Sequence, residues 1–149
     1  MKKLFITTLI ISSVLASCQK DDFCVDPITP NLIIRFYDSD NPEERKQVKS
    51  LTVWAEGLEE LYTNVAMDSI AIPLDPAEDF TTYHLNSGES QDQITINYTR
   101  KEVFVSRSCG YIYNFTELNL TDISNNWIVN STITNETVED DSEHLKILH

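Results

Sequence analysis

Short runs of alternating apolar and polar residues dominate the chain after residue 30. This period of two predicts half-buried β-strands, because successive side chains of a strand point to opposite faces of a sheet. The predicted strands are 32–37, 48–54, 69–74, 80–85, 94–98, 103–105, 109–115, 127–133 and 145–148. Eight or nine short strands with turn signals between them favour an all-β fold, a single antiparallel sandwich of immunoglobulin-like type. A closed barrel is the alternative.

Local signals add three expectations to this pattern. The string Thr99-Arg100-Lys101-Glu102 separates two apolar runs and predicts the turn of a hairpin. Asn41 followed by Pro42 predicts the capped start of a short helical turn. Cys109, Tyr111, Tyr113 and Phe115 share one parity, so we expect their side chains on the core face.

The first 17 residues have a different pattern, which is typical of a signal peptide. Lys2 and Lys3 precede an apolar run of about thirteen residues, against the ~20 that a spanning helix needs. The string Leu15-Ala16-Ser17-Cys18 ends the run and resembles the lipobox of bacterial lipoproteins. That resemblance implies cleavage before Cys18, a diacylglycerol on its thiol and an acyl chain such as palmitate on its amine. A plain secretory peptide with a coincidental cysteine is the alternative.

The residues after Cys18 resemble a second localisation signal. Gln19-Lys20-Asp21-Asp22 is similar to the lysine-plus-acidic signal with which lipoproteins of the Bacteroidota reach the cell surface. We therefore expect an outer-membrane protein that faces outward, and a periplasm-facing anchor is the alternative. The predicted layout is a signal peptide over 1–17, a lipidated tether over 18–30 and a sandwich over 31–149.

Charge narrows the range of partners. The chain has 11 basic and 24 acidic residues, and removal of Lys2 and Lys3 leaves a mature formal net charge of −15. Such a domain repels nucleic acid and anionic headgroups, so we expect no nucleic-acid partner. The membrane, reached through the lipid, is the expected partner, and a protein or glycan ligand is a further candidate. The oligomeric state does not follow from the sequence.

The cysteine count changes once Cys18 carries lipid. Cys24 and Cys109 remain, in a compartment that permits disulfides, and an even remainder favours one bridge. Two unpaired buried thiols are the alternative. The bridge would close a loop of about 85 residues, worth at most ~4–5 kcal/mol in the chain-entropy model. It would leave only residues 19–23 free and hold the domain within ~15–18 Å of the bilayer, against ~40 Å without it.

Four strings together resemble a family of small Bacteroidota lipoproteins classed as a domain of unknown function. They are Lys20-Asp21-Asp22-Phe23-Cys24, Thr29-Pro30-Asn31-Leu32-Ile33-Ile34-Arg35-Phe36-Tyr37-Asp38, Asp68-Ser69-Ile70-Ala71-Ile72-Pro73-Leu74 and Phe104-Val105-Ser106-Arg107-Ser108-Cys109-Gly110-Tyr111. The resemblance covers nearly the whole mature chain and implies that Cys24 and Cys109 pair. It brings no known activity.

Candidate chemistry is sparse. Cys109 would need a base within hydrogen-bond reach to act as a nucleophile, and a disulfide would remove its thiol. His84, His144 and His149 lack zinc-ligand spacing. The acids near Asp38 do not match a calcium loop. We therefore expect no enzyme, no metal and no cofactor other than the lipid on Cys18.

Two surface features remain as candidates. Trp54 and Trp127 are candidates for stacking sugar rings, with burial in the core as the alternative. Asp68-Ser69-Ile70 resembles the Asp-Ser/Thr-apolar site of Bacteroidota O-glycosylation, which makes Ser69 a candidate acceptor. We expect a non-enzymatic accessory or structural domain of the cell envelope, with a surface glycan- or peptide-binding module as the alternative.

Overall fold

The structure is a computed structural model, and it describes Cys24 and residues 29–149. Cys18, the signal segment and most of the tether lie outside the described residues. The described part forms nine strands and no helix: β1 (Leu32–Tyr37), β2 (Val48–Ala55), β3 (Glu60–Met67), β4 (Ser69–Ile72), β5 (Phe80–Ser87), β6 (Ser90–Ser106), β7 (Gly110–Thr121), β8 (Asn130–Ile133) and β9 (Leu145–Leu148). No described helix is therefore long and apolar enough to cross a membrane. The all-β class predicted from alternation is confirmed.

The strands form two sheets around one core. One sheet has the order β4-β1-β9-β8 and the other the order β3-β2-β5-β6-β7. All described pairs of strands are antiparallel except β1 and β9, which run parallel from Ile34 opposite Leu145 to Tyr37 opposite Leu148. The burial of alternate residues in β1 shows why the sequence pattern was informative, since Leu32, Ile34 and Phe36 have no exposed surface. The predicted sandwich is confirmed.

The two ends of the sandwich differ. At one end β2 stops at Ala55, β5 starts at Phe80 and β4 stops at Ile72, while β6 and β7 continue past them. We call this the hairpin end. The opposite end carries the tight turn between β5 and β6, where Gly88 has a φ of 64°.

The predicted hairpin turn at residues 99–102 is wrong. These residues pair with β7, as in Lys101 opposite Asn114, and β6 turns only after Ser106. Residues 99–102 are polar because both faces of the hairpin are exposed there. A bulge lies close by, where Glu117 adopts a φ of 57° and the register shifts by one residue.

The sequence prediction also differs from the structure at β3, at β8 and at Asn41. Strand β3 was not predicted, because it is an edge strand with mostly exposed side chains and no clean alternation. Strand β8 begins at Asn130, so the predicted strand over 127–133 is too long. Asn41 accepts a hydrogen bond from the Glu44 N–H at 2.9 Å and closes a tight turn in place of the helical turn.

Candidate functional site

Cys24 and Cys109 form a disulfide with a Cα–Cα distance of 4.9 Å. The predicted pairing is confirmed, and the alternative of two unpaired thiols is wrong. Cys109 lies in the turn that joins β6 to β7, where its N–H donates to Ser106 Oγ at 3.1 Å. Cys24 is therefore held at the tip of this hairpin. Because the sulfur is bonded, Cys109 offers no thiol for nucleophilic chemistry.

Residues 99–114, which we call the hairpin tip, project beyond the core. No residue within this fully described segment is buried. Phe104 and Tyr111 face each other across the strands with ring centroids 5.3 Å apart, in an edge-to-face arrangement, and are 56% and 61% exposed. The expectation that Tyr111 lies in the core is wrong, because the parity is right but no sheet faces the tip at that point. Tyr113, closer to the core, is half-buried, and its N–H donates to Thr29 Oγ1 at 3.1 Å.

Two concave regions lie at the hairpin end. The first, which we call the end cavity, has a volume of about 460 Å³ and is open to solvent. Its apolar lining includes Leu58, which is 72% exposed, and Phe80, which is 49% exposed. The second is also about 460 Å³ and lies beside the disulfide, between Thr29, Pro30 and the hairpin tip. Pro73, Leu74 and Pro76 line both regions.

Hydrogen bonds from side-chain hydroxyl groups stabilise one wall of the end cavity. The Tyr83 hydroxyl donates to the Pro73 carbonyl, and the Tyr98 hydroxyl donates to the Asp75 carbonyl at 2.9 Å. Thr81 Oγ1 lies 2.6 Å from the Tyr98 hydroxyl. Burial raises the pKa of both tyrosines, so both remain protonated donors at neutral pH. These bonds hold segment 73–76 against the five-stranded sheet.

Acidic side chains also line the end cavity. Glu56, Asp75 and Glu78 lie in its lining, and none of the described lining residues is basic. Arg100 contacts the segment that lines the cavity: its Nε donates to Asp79 Oδ1 at 3.0 Å and its Nη1 to the Pro76 carbonyl at 3.0 Å. Apolar surface beside carboxylates is suited to a ligand that carries an apolar group next to a positive charge.

The two tryptophans do not form a shared platform. Trp54 stacks on the His84 ring with centroids 5.1 Å apart, so this neighbour covers one face of the indole. Trp127 packs near Phe36 and His149, and its Nε1–H donates to the Leu85 carbonyl at 3.0 Å. Both indoles are half-buried and engaged by the fold.

The remaining predicted residues lie apart from the cavity. Ser69 begins β4 opposite Arg35 and is half-exposed, while its neighbour Ile70 is buried in the core. The side chain thus points away from the core, as an acceptor site requires. Among the described residues, no three His, Cys, Asp or Glu side chains gather as metal ligands. Asp38 instead accepts from the Asp40 N–H at 3.0 Å and pairs with Lys46.

Sequence reasoning missed the cavity and one buried carboxylate. Leu58 follows Gly57 in the turn between β2 and β3, and Phe80 begins a strand, so no sequence pattern joins them. Asp92 is fully buried and accepts four hydrogen bonds from Ser124, Asn126, Trp127 and Ile128. Its only sequence signal is an acid within the apolar alternation of β6.

The comparisons with known proteins give one match. The model of a family of unknown function, DUF6452, matches residues 50–149, which is more than half of the chain. The chain therefore belongs to this family. No curated protein and no solved structure matches it.

Proposed function

We propose that this member of the DUF6452 family is a lipid-anchored domain of a bacterial outer membrane, facing outward. Its role is non-enzymatic, as an accessory of the cell envelope that binds or supports other components. The anchor is the lipid on Cys18, and the tether consists of residues 19–23, since the next residue is bonded to the domain.

The Cys24–Cys109 disulfide is the observation that carries this proposal. Disulfides persist in extracytoplasmic compartments and are rare in the reducing cytosol. The bond therefore agrees with the signal-like segment and the lipobox-like string ahead of it. It also joins the anchor segment directly to the folded domain.

Metabolic labelling with an alkyne fatty acid tests the anchor. We expect the wild-type chain and a Cys24→Ser variant to be labelled and a Cys18→Ala variant to be unlabelled. Cys24→Ser is the matched control, since it removes a neighbouring cysteine and leaves the lipobox intact. Label retained by Cys18→Ala would overturn the anchor. Protease treatment of intact cells tests the orientation: we expect loss of the domain, and protection until the outer membrane is opened would place it on the periplasmic side.

The end cavity favours a second candidate role, the binding of a peptide with basic and apolar side chains. The exposed rings and chains of Phe80 and Leu58 supply apolar contact, and Glu56 and Glu78 supply the charge. The glycan alternative is less supported, because His84 covers Trp54 and the core engages Trp127.

An NMR titration with the tripeptide Leu-Lys-Leu tests this second role. We expect shifts of the amides of Ala55 and Thr82, which line the cavity. Leu58→Ser should weaken the binding, whereas Val129→Ser should not. Val129 is a matched control because it is 64% exposed and lies at the opposite end, beside Leu148. Shifts elsewhere only, or equal binding by both variants, would overturn the role.

A further inference from the structure

The hairpin tip is basic in an acidic protein. Residues 99–114 hold three of the nine basic residues of the mature chain and a single acid, Glu102, which gives the segment a formal charge of +2. The mature chain as a whole carries −15. The hairpin tip therefore carries a positive formal charge within a strongly acidic chain.

Two of these basic residues lack an ion-pair partner among the described residues. Arg100 is bonded to Asp79, with a closest N–O distance of 2.9 Å. Lys101 and Arg107 are exposed, and neither forms an ion pair with a residue that the structure describes.

An exposed aromatic pair lies beside them. Phe104 and Tyr111 are both more than half exposed and pack on each other. Tyr111, with a polar hydroxyl on an apolar ring and basic residues close by, is the type of side chain that favours the headgroup region of a membrane, and Phe104 adds apolar surface beside it. Each basic residue near an anionic membrane surface raises the binding constant for that surface about fivefold.

The chain itself brings the tip to a membrane. The disulfide fixes Cys24 to Cys109 in the turn of the hairpin, so the tether starts from the tip. Five residues, 19–23, separate Cys24 from Cys18 and span at most ~15–18 Å. On the proposed function, with lipid on Cys18, the tip is the part of the domain nearest the bilayer.

We propose that the hairpin tip lies in the headgroup region of the membrane that holds the anchor. Phe104 and Tyr111 insert at the interface, and Lys101 and Arg107 contact anionic headgroups. The domain is then held in one orientation, with its acidic remainder directed away from the surface. This inference rests on the proposed lipid anchor and adds an orientation to it.

Fluorescence quenching by brominated lipid tests the orientation. The lipid-bearing protein is extracted from its membrane and reconstituted in vesicles of brominated phosphatidylcholine and phosphatidylglycerol. Tryptophan is introduced by Phe104→Trp or, as a second probe at the tip, Tyr111→Trp. Val129→Trp is the matched control at the opposite end, and the signal of the parent's own tryptophans is subtracted.

We expect added emission at residues 104 and 111 to be quenched and added emission at residue 129 to be unaffected. Arg107→Glu in the Phe104→Trp chain should lower the ratio of membrane-bound to unbound hairpin tip at least fivefold, whereas Lys49→Glu, at an exposed basic residue on β2, should not. Equal quenching at residues 104 and 129, or none at either, overturns the orientation.

Mass spectrometry of the same sample separates the two proposals. A chain without lipid on Cys18 overturns the anchor, whatever the quenching. A lipid-bearing chain whose tip is not quenched overturns the orientation alone.

Discussion

Replacement of Asp92 by Ala should lower the free energy of unfolding more than any single substitution at the surface does. Asp92 is fully buried in β6. Its Oδ1 accepts from Ser124 Oγ at 2.8 Å and from the Asn126 N–H at 2.7 Å. Its Oδ2 accepts from the Trp127 and Ile128 N–H groups, each at 2.8 Å. One carboxylate thus fixes the loop that crosses from β7 to β8.

The magnitude follows from the donors left without an acceptor. Asp92→Ala leaves three backbone N–H groups without an acceptor, and a buried unpaired donor costs about 1–3 kcal/mol. The loop includes exposed residues such as Asn125, where water can replace part of the loss. We therefore expect a decrease of ~3–5 kcal/mol in the free energy of unfolding, a large part of the ~5–15 kcal/mol typical of a domain.

The pH dependence gives a second readout of the same carboxylate. Burial works against ionisation of Asp92, but the bonds from Asn126, Ile128, Trp127 and Ser124 outweigh it and lower its pKa. The folded pKa is below the unfolded one, so the stabilisation is complete above the ordinary value of about 4. It is lost as the pH falls through the folded pKa. Asp92→Asn should therefore lose less stability than the wild type on acidification below about pH 4.

Urea unfolding followed by tryptophan fluorescence measures these changes. Asp141→Ala is the control, since it removes the same charge from an exposed position, and it should stay within about 0.5 kcal/mol of the wild type. A loss below about 1 kcal/mol for Asp92→Ala would refute the reasoning, because the four bonds would then not hold the loop.

Three further changes test other parts of the fold. Cys24→Ser with Cys109→Ser should lower the free energy of unfolding by up to ~4–5 kcal/mol in urea, and equal stability would contradict a role of the bridge in the fold. His144 accepts from the Ile33 N–H through Nδ1 at 3.0 Å, and burial lowers its pKa. The stabilisation by neutral His144 is complete above about pH 6.5 and is lost as the pH falls through the folded pKa. The melting temperature of His144→Asn should therefore fall less than that of the wild type between about pH 7 and 5. An equal fall in the two proteins would contradict this reasoning. Tyr98→Phe removes the hydrogen bonds to the Asp75 carbonyl and to Thr81 Oγ1 and should cost about 1–2 kcal/mol in urea, while no change would show that the cavity wall does not need these bonds.

The sequence predicted best where one face of a strand is buried. In β1 every second residue faces the core, and the same alternation marked β5 and β9. It failed for β3, an edge strand with few buried residues, because nothing there forces apolar and polar positions to alternate. The prediction for the hairpin tip failed for a related reason: exposed polar residues in β6 look like a turn when no partner sheet covers the strand.

The site was predictable only in its covalent part. Counting cysteines identified Cys24 and Cys109, because pairing is a property of the whole chain and its compartment. The end cavity arises from loops that tertiary packing brings together, so Leu58 and Phe80 carry no common local signal. The role of Asp92 likewise depends on a loop about 35 residues away, as in its bonds to Asn126 and Trp127.

The intact mass of the protein, extracted from its membrane without reduction, tests the central claim most directly. The account predicts a chain that begins at Cys18, carries a diacylglycerol and an acyl chain there, and has two hydrogens fewer than the reduced form because of the Cys24–Cys109 bond. A chain that retains residues 1–17, or one with no lipid on Cys18, would contradict it.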